Sequence, residues 1–350
     1  MTCYHPLKGF PIGFTKNGKI NYKITGYDAS GVLIEGDKVD VLPAFFDGQL
    51  YYRRTGGLSG RIVRDFVPIP CGQCVGCRLK RSKDWATRCM LEYKSHDSSY
   101  FLTLTYDDVN LPYNSFVHPE TGEVGYKSTL VRRDIQLFIK RLRDNYSRKY
   151  NNLLKSYACG EYGTKTARPH YHLIVFGLKL DDLQFFKRSS SGYNLYNSPW
   201  LDRIWKKGYC VVGDVTFESC AYVSRYIMKK QTGVSSSVYD DYNFEPEFNL
   251  MSTKPAIGLE FFEDNFQDIY KNDEIILPEG RVVTPPRYFD KKMDLIDEEL
   301  MDGIKDRRKD VAEQIKAWKE SRTTQSYQEL LRSEEIAKKG SIKRLVRPLE

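Results

Sequence analysis

The sequence predicts an α+β protein. Its centre is a mostly antiparallel sheet in β-α-β-β-α-β order with flanking helices, preceded by a β-rich N-terminal arm and followed by a helical C-terminal tail. Three observations predict this. Tyr100–Tyr106 is a dense run of aromatic, leucine and threonine residues, the composition of a strand. Arg132–Tyr150 sets Ile135, Phe138, Ile139 and Leu142 at three- and four-residue spacing, the apolar stripe of a helix. Two apolar segments, Ser156–Glu161 and His170–Phe176, then flank a glycine-bearing turn and read as paired strands. That order is a split βαβ unit, expected to carry its helices on one face.

Before this core, residues 1–70 read as short strands and turns. Asn17-Gly18 and Asp47-Gly48 are hairpin signals, and Gly56-Gly57 is a further break. A helix is expected over Leu79–Lys94, where Trp85, Cys89 and Tyr93 share a face. After the first core strand, a polar loop runs through Asp107-Asp108 and Pro119–Gly122. After the paired strands come a short helical stretch near Leu201–Lys206 and a strand over Tyr209–Phe217. A helix over Ser219–Lys230 follows, with Ser219 as its N-cap. Residues 231–255 read as loop, 256–290 as acidic and irregular, and the chain from Lys291 as charged helix extending away from the core. The expected organisation is 1–77 as arm with a Cys-rich segment, 78–235 as central domain, 236–290 as extension and 291–350 as tail. No internal repeat occurs.

The chain has 350 residues, 41% of them apolar, which excludes a disordered polymer. Its net charge of +8 is uneven. Arg78–Lys94 carries six basic and two acidic residues, Arg132–Lys149 seven and two, and Ser236–Leu300 six and sixteen. The front half therefore offers basic helices to a phosphate backbone, although solvated helix faces look the same. The eight cysteines follow no secreted disulfide pattern, and no run of about 18 apolar residues appears. A soluble protein in a reducing cytoplasm, with no membrane partner, is expected.

Four constellations carry chemistry. His170-Tyr171-His172 places two imidazoles on one strand face and Tyr171 on the other. Glu161, ending the preceding strand, is the candidate third ligand of a divalent metal. Tyr222 and Tyr226 stand four apart, so both hydroxyls share one helix face, with Lys229 and Lys230 one turn further on. Tyrosine is a nucleophile once its phenol, with a pKa of about 10, is deprotonated or its phenolate stabilised. Taken alone, this spacing also suits two core tyrosines. Thr103 and Thr105 share a strand face and contact substrate or simply line a half-polar sheet. Finally, Cys71, Cys74 and Cys77 have the spacing to wrap one soft metal, zinc by default, with an iron–sulfur cluster or three reduced, unmetallated thiols as the alternatives. Cys3 is the candidate fourth ligand and His5 the reserve.

Together these segments resemble the HUH endonucleases, and most closely the replication initiators of microviruses of the gokushovirus type. The resemblance rests on Pro70-Cys71-Gly72-Gln73-Cys74-Val75-Gly76-Cys77-Arg78, on Leu102–Tyr106, on Arg168-Pro169-His170-Tyr171-His172 and on the paired-tyrosine segment 222–230. It spans about residues 70–230; Pro285–Tyr288 is also similar. It implies that His170, His172 and Glu161 hold Mg²⁺ or Mn²⁺, that Tyr222 and Tyr226 alternate as nucleophiles, and that Lys229 or Lys230 assists. Thr103, Thr105 and Arg168 are expected to contact DNA. It also implies a phage origin, single-stranded or supercoiled, as substrate, host polymerase and helicase as partners, and the bacterial cytoplasm as location. No Gly-x-x-x-x-Gly-Lys-Ser/Thr segment is present, so no built-in helicase is expected. Three other readings stay open: a hydrolase that activates water at the His pair, a non-catalytic zinc-bearing regulator, and a transposase or relaxase of the same superfamily.

Overall fold

The computed structural model of the chain describes residues 3–44, 60–150, 153–163, 166–189, 191–225 and 236–343. Two compact units are present, one drawn from Met1–Arg78 and Lys319–Arg344, the other from Leu79–Trp318.

The first unit holds six short strands: β1 (Leu7–Phe14), β2 (Ile20–Thr25), β3 (Gly31–Glu35), β4 (Lys38–Leu42), β5 (Arg61–Val63) and β6 (Val67–Ile69). They form two three-stranded sheets, ordered β2-β1-β6 and β4-β3-β5. The Asn17-Gly18 signal closes the β1–β2 hairpin, with Gly18 at φ +75°, a conformation that favours glycine. Phe10, Ala29 and Val32 form a buried cluster, with Ile12, Ile34, Val39 and Val63 packed against it, and Leu33, Leu42 and Leu331 are buried as well. The helix Tyr327–Lys343 belongs to this unit. The expected turns at Asp47-Gly48 and Gly56-Gly57 lie outside the described residues.

Helix α1 (Val75–Lys94) leads into the second unit. There the chain runs through β7 (Ser99–Tyr106), β8 (Tyr113–Val117), β9 (Val124–Ser128), α2 (Arg132–Tyr150), β10 (Lys155–Tyr162) and β11 (Pro169–Phe176). It continues through β12 (Gln184–Arg188), β13 (Asn194–Asn197), α3 (Pro199–Trp205), β14 (Gly208–Asp214) and α4 (Phe217–Arg225). The central sheet has seven strands in the order β12-β13-β14-β7-β11-β10-β15, where β15 is Phe248–Met251, and every neighbouring pair is antiparallel. Its inner strands stand fourth, first, third, second in core order, the split βαβ arrangement.

Strand alternation explains the two cores. Leu102, Leu104, Tyr106, Tyr171, Leu173 and Val175 face α2 and α3, and pack with Ile135, Phe138, Leu142, Leu201 and Trp205. Phe101, Tyr157, Cys159, Ile174 and Phe176 face the other way, against Ala86, Cys89 and Met90 of α1 and Cys220, Tyr222 and Val223 of α4. Helices therefore cover both faces, not the one expected. Both faces of the central strands are apolar, so each has to be buried.

Other expectations change too. The loop after β7 contains the β8–β9 hairpin. The stretch expected to be loop and irregular supplies β15, the strand that extends the sheet beyond β10. It also forms a helix over Leu259–Asn272, which buries Phe262, Ile269 and Tyr270. The C-terminal stretch does not simply extend away: Met301 and Ile304, in the helix Glu298–Glu320, are fully buried in the second unit's core. Ser219 is not the cap of α4. Thr216 is, its hydroxyl accepting the Ser219 N–H at 3.1 Å while Ser219 Oγ accepts the Thr216 N–H at 2.8 Å.

Candidate active site

Register builds this site. β11 lies between β7 and β10, with His172 opposite Thr103 and Cys159, and His170 opposite Thr105 and Glu161. All these side chains leave the sheet on the face that carries α4, because residues two apart share a face. Tyr171 faces the opposite core. Burial pushes its phenol well up, and its hydroxyl is engaged with Tyr106 and with the backbone of Val131.

His172 is held at both ring nitrogens. Nε2 lies 2.8 Å from Glu161 Oε1 and Nδ1 lies 3.0 Å from Thr103 Oγ1. Phe101 stacks on its ring at 5.6 Å between centroids. Tyr222 approaches it edge-on, with centroids 5.3 Å apart and planes at 82°. His170 stands beside it at 5.9 Å. Glu161, His172 and Tyr222 are each at most 5% exposed, while His170 is only half-buried and forms the open side of the group.

The donor set is two imidazoles and a carboxylate, which suits a divalent transition ion. The Nε2 atoms of both histidines lie beside β10 and the turn that follows it. His172 Nε2 meets Glu161, and a Cβ at Gly163 would come within 3.0 Å of His170 Nε2. By residue type alone the set fits such an ion. The three ligand atoms do not, however, all lie within 4.8 Å of one another.

Thr103 holds His172 through its hydroxyl. Its hydroxyl donates to a bare Nδ1 or accepts from a protonated one, so it supports His172 with either nitrogen carrying the proton. Thr105 is half-buried opposite His170. Arg168 ties the loop after β7 to β11, with Nη1 2.8 Å from Asp108 Oδ1 and Nη2 donating to the Tyr106 carbonyl at 2.7 Å. Tyr226, Lys229 and Lys230 lie outside the described residues. Phe101 and Gly163 were missed from the sequence, although Phe101 stands two before Thr103 and so had to share its face.

A second cluster lies in the first unit. Cys3, Cys71, Cys74 and Cys77 bring four sulfurs within 4.8 Å of one another, the one such ligand group among the described residues. The Cys71 N–H points to Cys3 Sγ, the Cys74 N–H to Cys71 Sγ and the Tyr4 N–H to Cys74 Sγ, each at 3.3 Å. Burial pushes the Cys77 thiol up to about 11. Burial also opposes ionisation of Cys74, but hydrogen bonds from the backbone at Cys77 and Tyr4 and from the Cys77 and Cys71 thiols outweigh it and bring that thiol down to about 7. His5 is not in the group. It meets Glu335 at 2.8 Å instead.

Residues 99–231, which span every candidate catalytic residue, match the model of the replication-associated protein ORF2 family. The replication-associated protein ORF2 of Spiroplasma virus 4 is 37% identical over 295 residues, covering 83% of this chain and 87% of the relative. The chain belongs to this family of phage replication-associated proteins. Two further members are the replication-associated protein VP4 of Bdellovibrio phage phiMH2K and ORF4 of Chlamydia phage 1. The first is 33% identical over 63% of this chain and 66% of its own length; the second is 32% identical over 69% and 58%. No solved structure matches the chain. The matched residues 99–231 include the neighbouring strands β7 and β11 and the helix α4. Among the described residues no helix is long and apolar enough to cross a membrane.

Proposed function

We propose that this family member is an HUH-type DNA nickase that starts rolling-circle replication of a small single-stranded DNA phage. The observation that carries the reading is the packing of Tyr222 against His172, within a group that also holds His170, Glu161 and Thr103. A tyrosine beside two imidazoles and a carboxylate suits phosphoryl transfer to the phenol. The basic residues of α1 and α2 draw in single-stranded or locally melted DNA.

The Tyr222 oxygen forms a bond to the scissile phosphorus, and the bond from phosphorus to the 3′ oxygen breaks. The phenol's proton passes to solvent, and the leaving oxygen takes up a proton as a 3′ hydroxyl. The 5′ phosphate stays on tyrosine. One phosphoester replaces another, so no nucleotide triphosphate is consumed, and a host polymerase extends the hydroxyl behind a host helicase. Mn²⁺ or Mg²⁺ held by His170, His172 and Glu161 would, when bound, stabilise charge on the phosphate oxygens. Glu161 and Thr103 fix the His172 ring, and the open side at His170 admits the phosphate. Tyr226, four residues beyond Tyr222, takes the second transfer after a round of synthesis, and the freed 3′ hydroxyl then closes the circle. Lys229 or Lys230 steadies the phenolate. The work is done in the cytoplasm of the bacterial host.

The test is a denaturing gel of end-labelled single-stranded DNA from the phage origin, incubated with purified protein and Mn²⁺ or Mg²⁺. The expected result is a DNA fragment covalently attached to protein, stronger in Mn²⁺ because imidazole ligands favour it over Mg²⁺. It disappears in Tyr222→Phe/Tyr226→Phe and in His170→Ala/His172→Ala. Cleavage without an adduct, undiminished in the tyrosine variant, overturns the reading in favour of water activation at the His pair.

A further inference from the structure

The nicking reading makes no use of the four cysteines. We propose that Cys3, Cys71, Cys74 and Cys77 hold one zinc ion in a tetrahedral all-thiolate site that staples the first unit together.

The spacing fits. Four sulfurs about 2.3 Å from one zinc stand about 3.8 Å apart in a tetrahedron, and the Sγ atoms of Cys74 and Cys3 are 3.9 Å apart. All four ligand atoms already lie within 4.8 Å of one another. The surroundings fit as well. Backbone N–H groups of Cys71, Cys74 and Tyr4 point at three different sulfurs, so thiolate charge is met by fixed dipoles that also orient the ligands. Cys74 immediately precedes the 20-residue helix α1, whose N-terminal end favours negative charge.

The unit also has a use for the ion. Its buried aliphatic and aromatic side chains among the described residues are few: Phe10, Ala29, Val32, Leu33, Leu42 and Leu331. So small a core stabilises a fold weakly, and small units commonly add a structural metal. An ion held by Cys3 and Cys71 would join segments 68 residues apart and close the loop that contains β1–β6.

The experiment uses the full chain, expressed with zinc in the medium and washed with chelator to strip weakly held ions. Elemental analysis is expected to find one zinc per chain in the wild type and in His170→Ala/His172→Ala, and background zinc in Cys71→Ser/Cys74→Ser. To keep the test independent of whether the cysteine variant folds, Co²⁺ is also exchanged into the wild type. Intense tetrahedral bands with thiolate-to-cobalt charge transfer are expected. Iron in place of zinc, zinc lost with the histidines, or a folded, zinc-free wild type whose four thiols all react with a thiol reagent overturns the proposal. The zinc content and the covalent DNA adduct are separate readouts, so the failure of one proposal is told apart from the failure of the other.

Discussion

The imidazole of His172 is gripped between a carboxylate and a hydroxyl, and the hydroxyl has a job that its neighbour Thr105 does not share. Thr103→Val keeps the shape and removes the partner of Nδ1. Outer partners of a ligating histidine typically contribute about 10- to 100-fold to metal affinity or activity. Adduct formation by Thr103→Val should fall by that order, with an increased requirement for Mn²⁺, while Thr103→Ser stays close to wild type. A metal titration of initial cleavage rates separates the cases. If valine and serine behave alike, the hydroxyl does not position the ring. Arg168 is held in place by the Asp108 carboxylate and the Tyr106 carbonyl.

At the scale of elements, α4 has one main task, to hold Tyr222 over the β10–β11 pair, and it is anchored at its start by the reciprocal bonds of Thr216 and Ser219. Replacing an N-cap threonine by alanine costs about 0.5–2 kcal/mol. Thr216→Ala should lower stability in urea by about that much and speed amide exchange in α4, leaving β7 and β11 protected. Exchange unchanged in α4 would show that packing of Cys220 and Val223 alone fixes the helix. The sequence placed this helix but put its cap at Ser219. Here both partners of the reciprocal pair are hydroxyls, and spacing alone does not say which residue leaves the helix.

At the scale of the molecule, the second unit is pinned by a buried charge cluster. Glu92 of α1, 1% exposed, meets Lys155 of β10 at 2.8 Å and His96 at 2.7 Å, and accepts the Gly258 N–H at 2.7 Å. Burial pushes its carboxyl up, but hydrogen bonds from His96, Lys155 and the Gly258 N–H prevail and hold it below its ordinary 4.5. A carboxyl whose folded pKa is depressed stabilises the fold above its unfolded value, and that stabilisation is lost as pH falls through the folded one. Stability from this group is therefore full above about pH 4.5 and lost only below it. Glu92→Gln leaves Lys155 buried without its counter-charge, a change that costs about 3–5 kcal/mol at neutral pH. Urea melts at pH 7 and pH 4 should show that loss at pH 7 and a smaller difference at pH 4. Equal losses at both would mean the carboxylate charge is not what matters.

What the sequence determined by itself was local. Strand alternation put His170 and His172 on one face and Tyr171 on the other, and helical spacing put Ile135, Phe138 and Leu142 on the buried side of α2. Cysteine spacing marked out Cys71, Cys74 and Cys77. Tertiary structure decided what depends on register and on distant segments. It set Thr103 opposite His172, turned Glu161 onto His172, and recruited β15, four residues inside a polar stretch, as an edge strand. It selected Cys3 over His5 as the fourth member of the sulfur group and buried both faces of the sheet. Periodicity reports which way a side chain points within its own element. Which partner it meets is set by hydrogen-bond ladders and packing between segments far apart in the chain, and no local pattern encodes that choice.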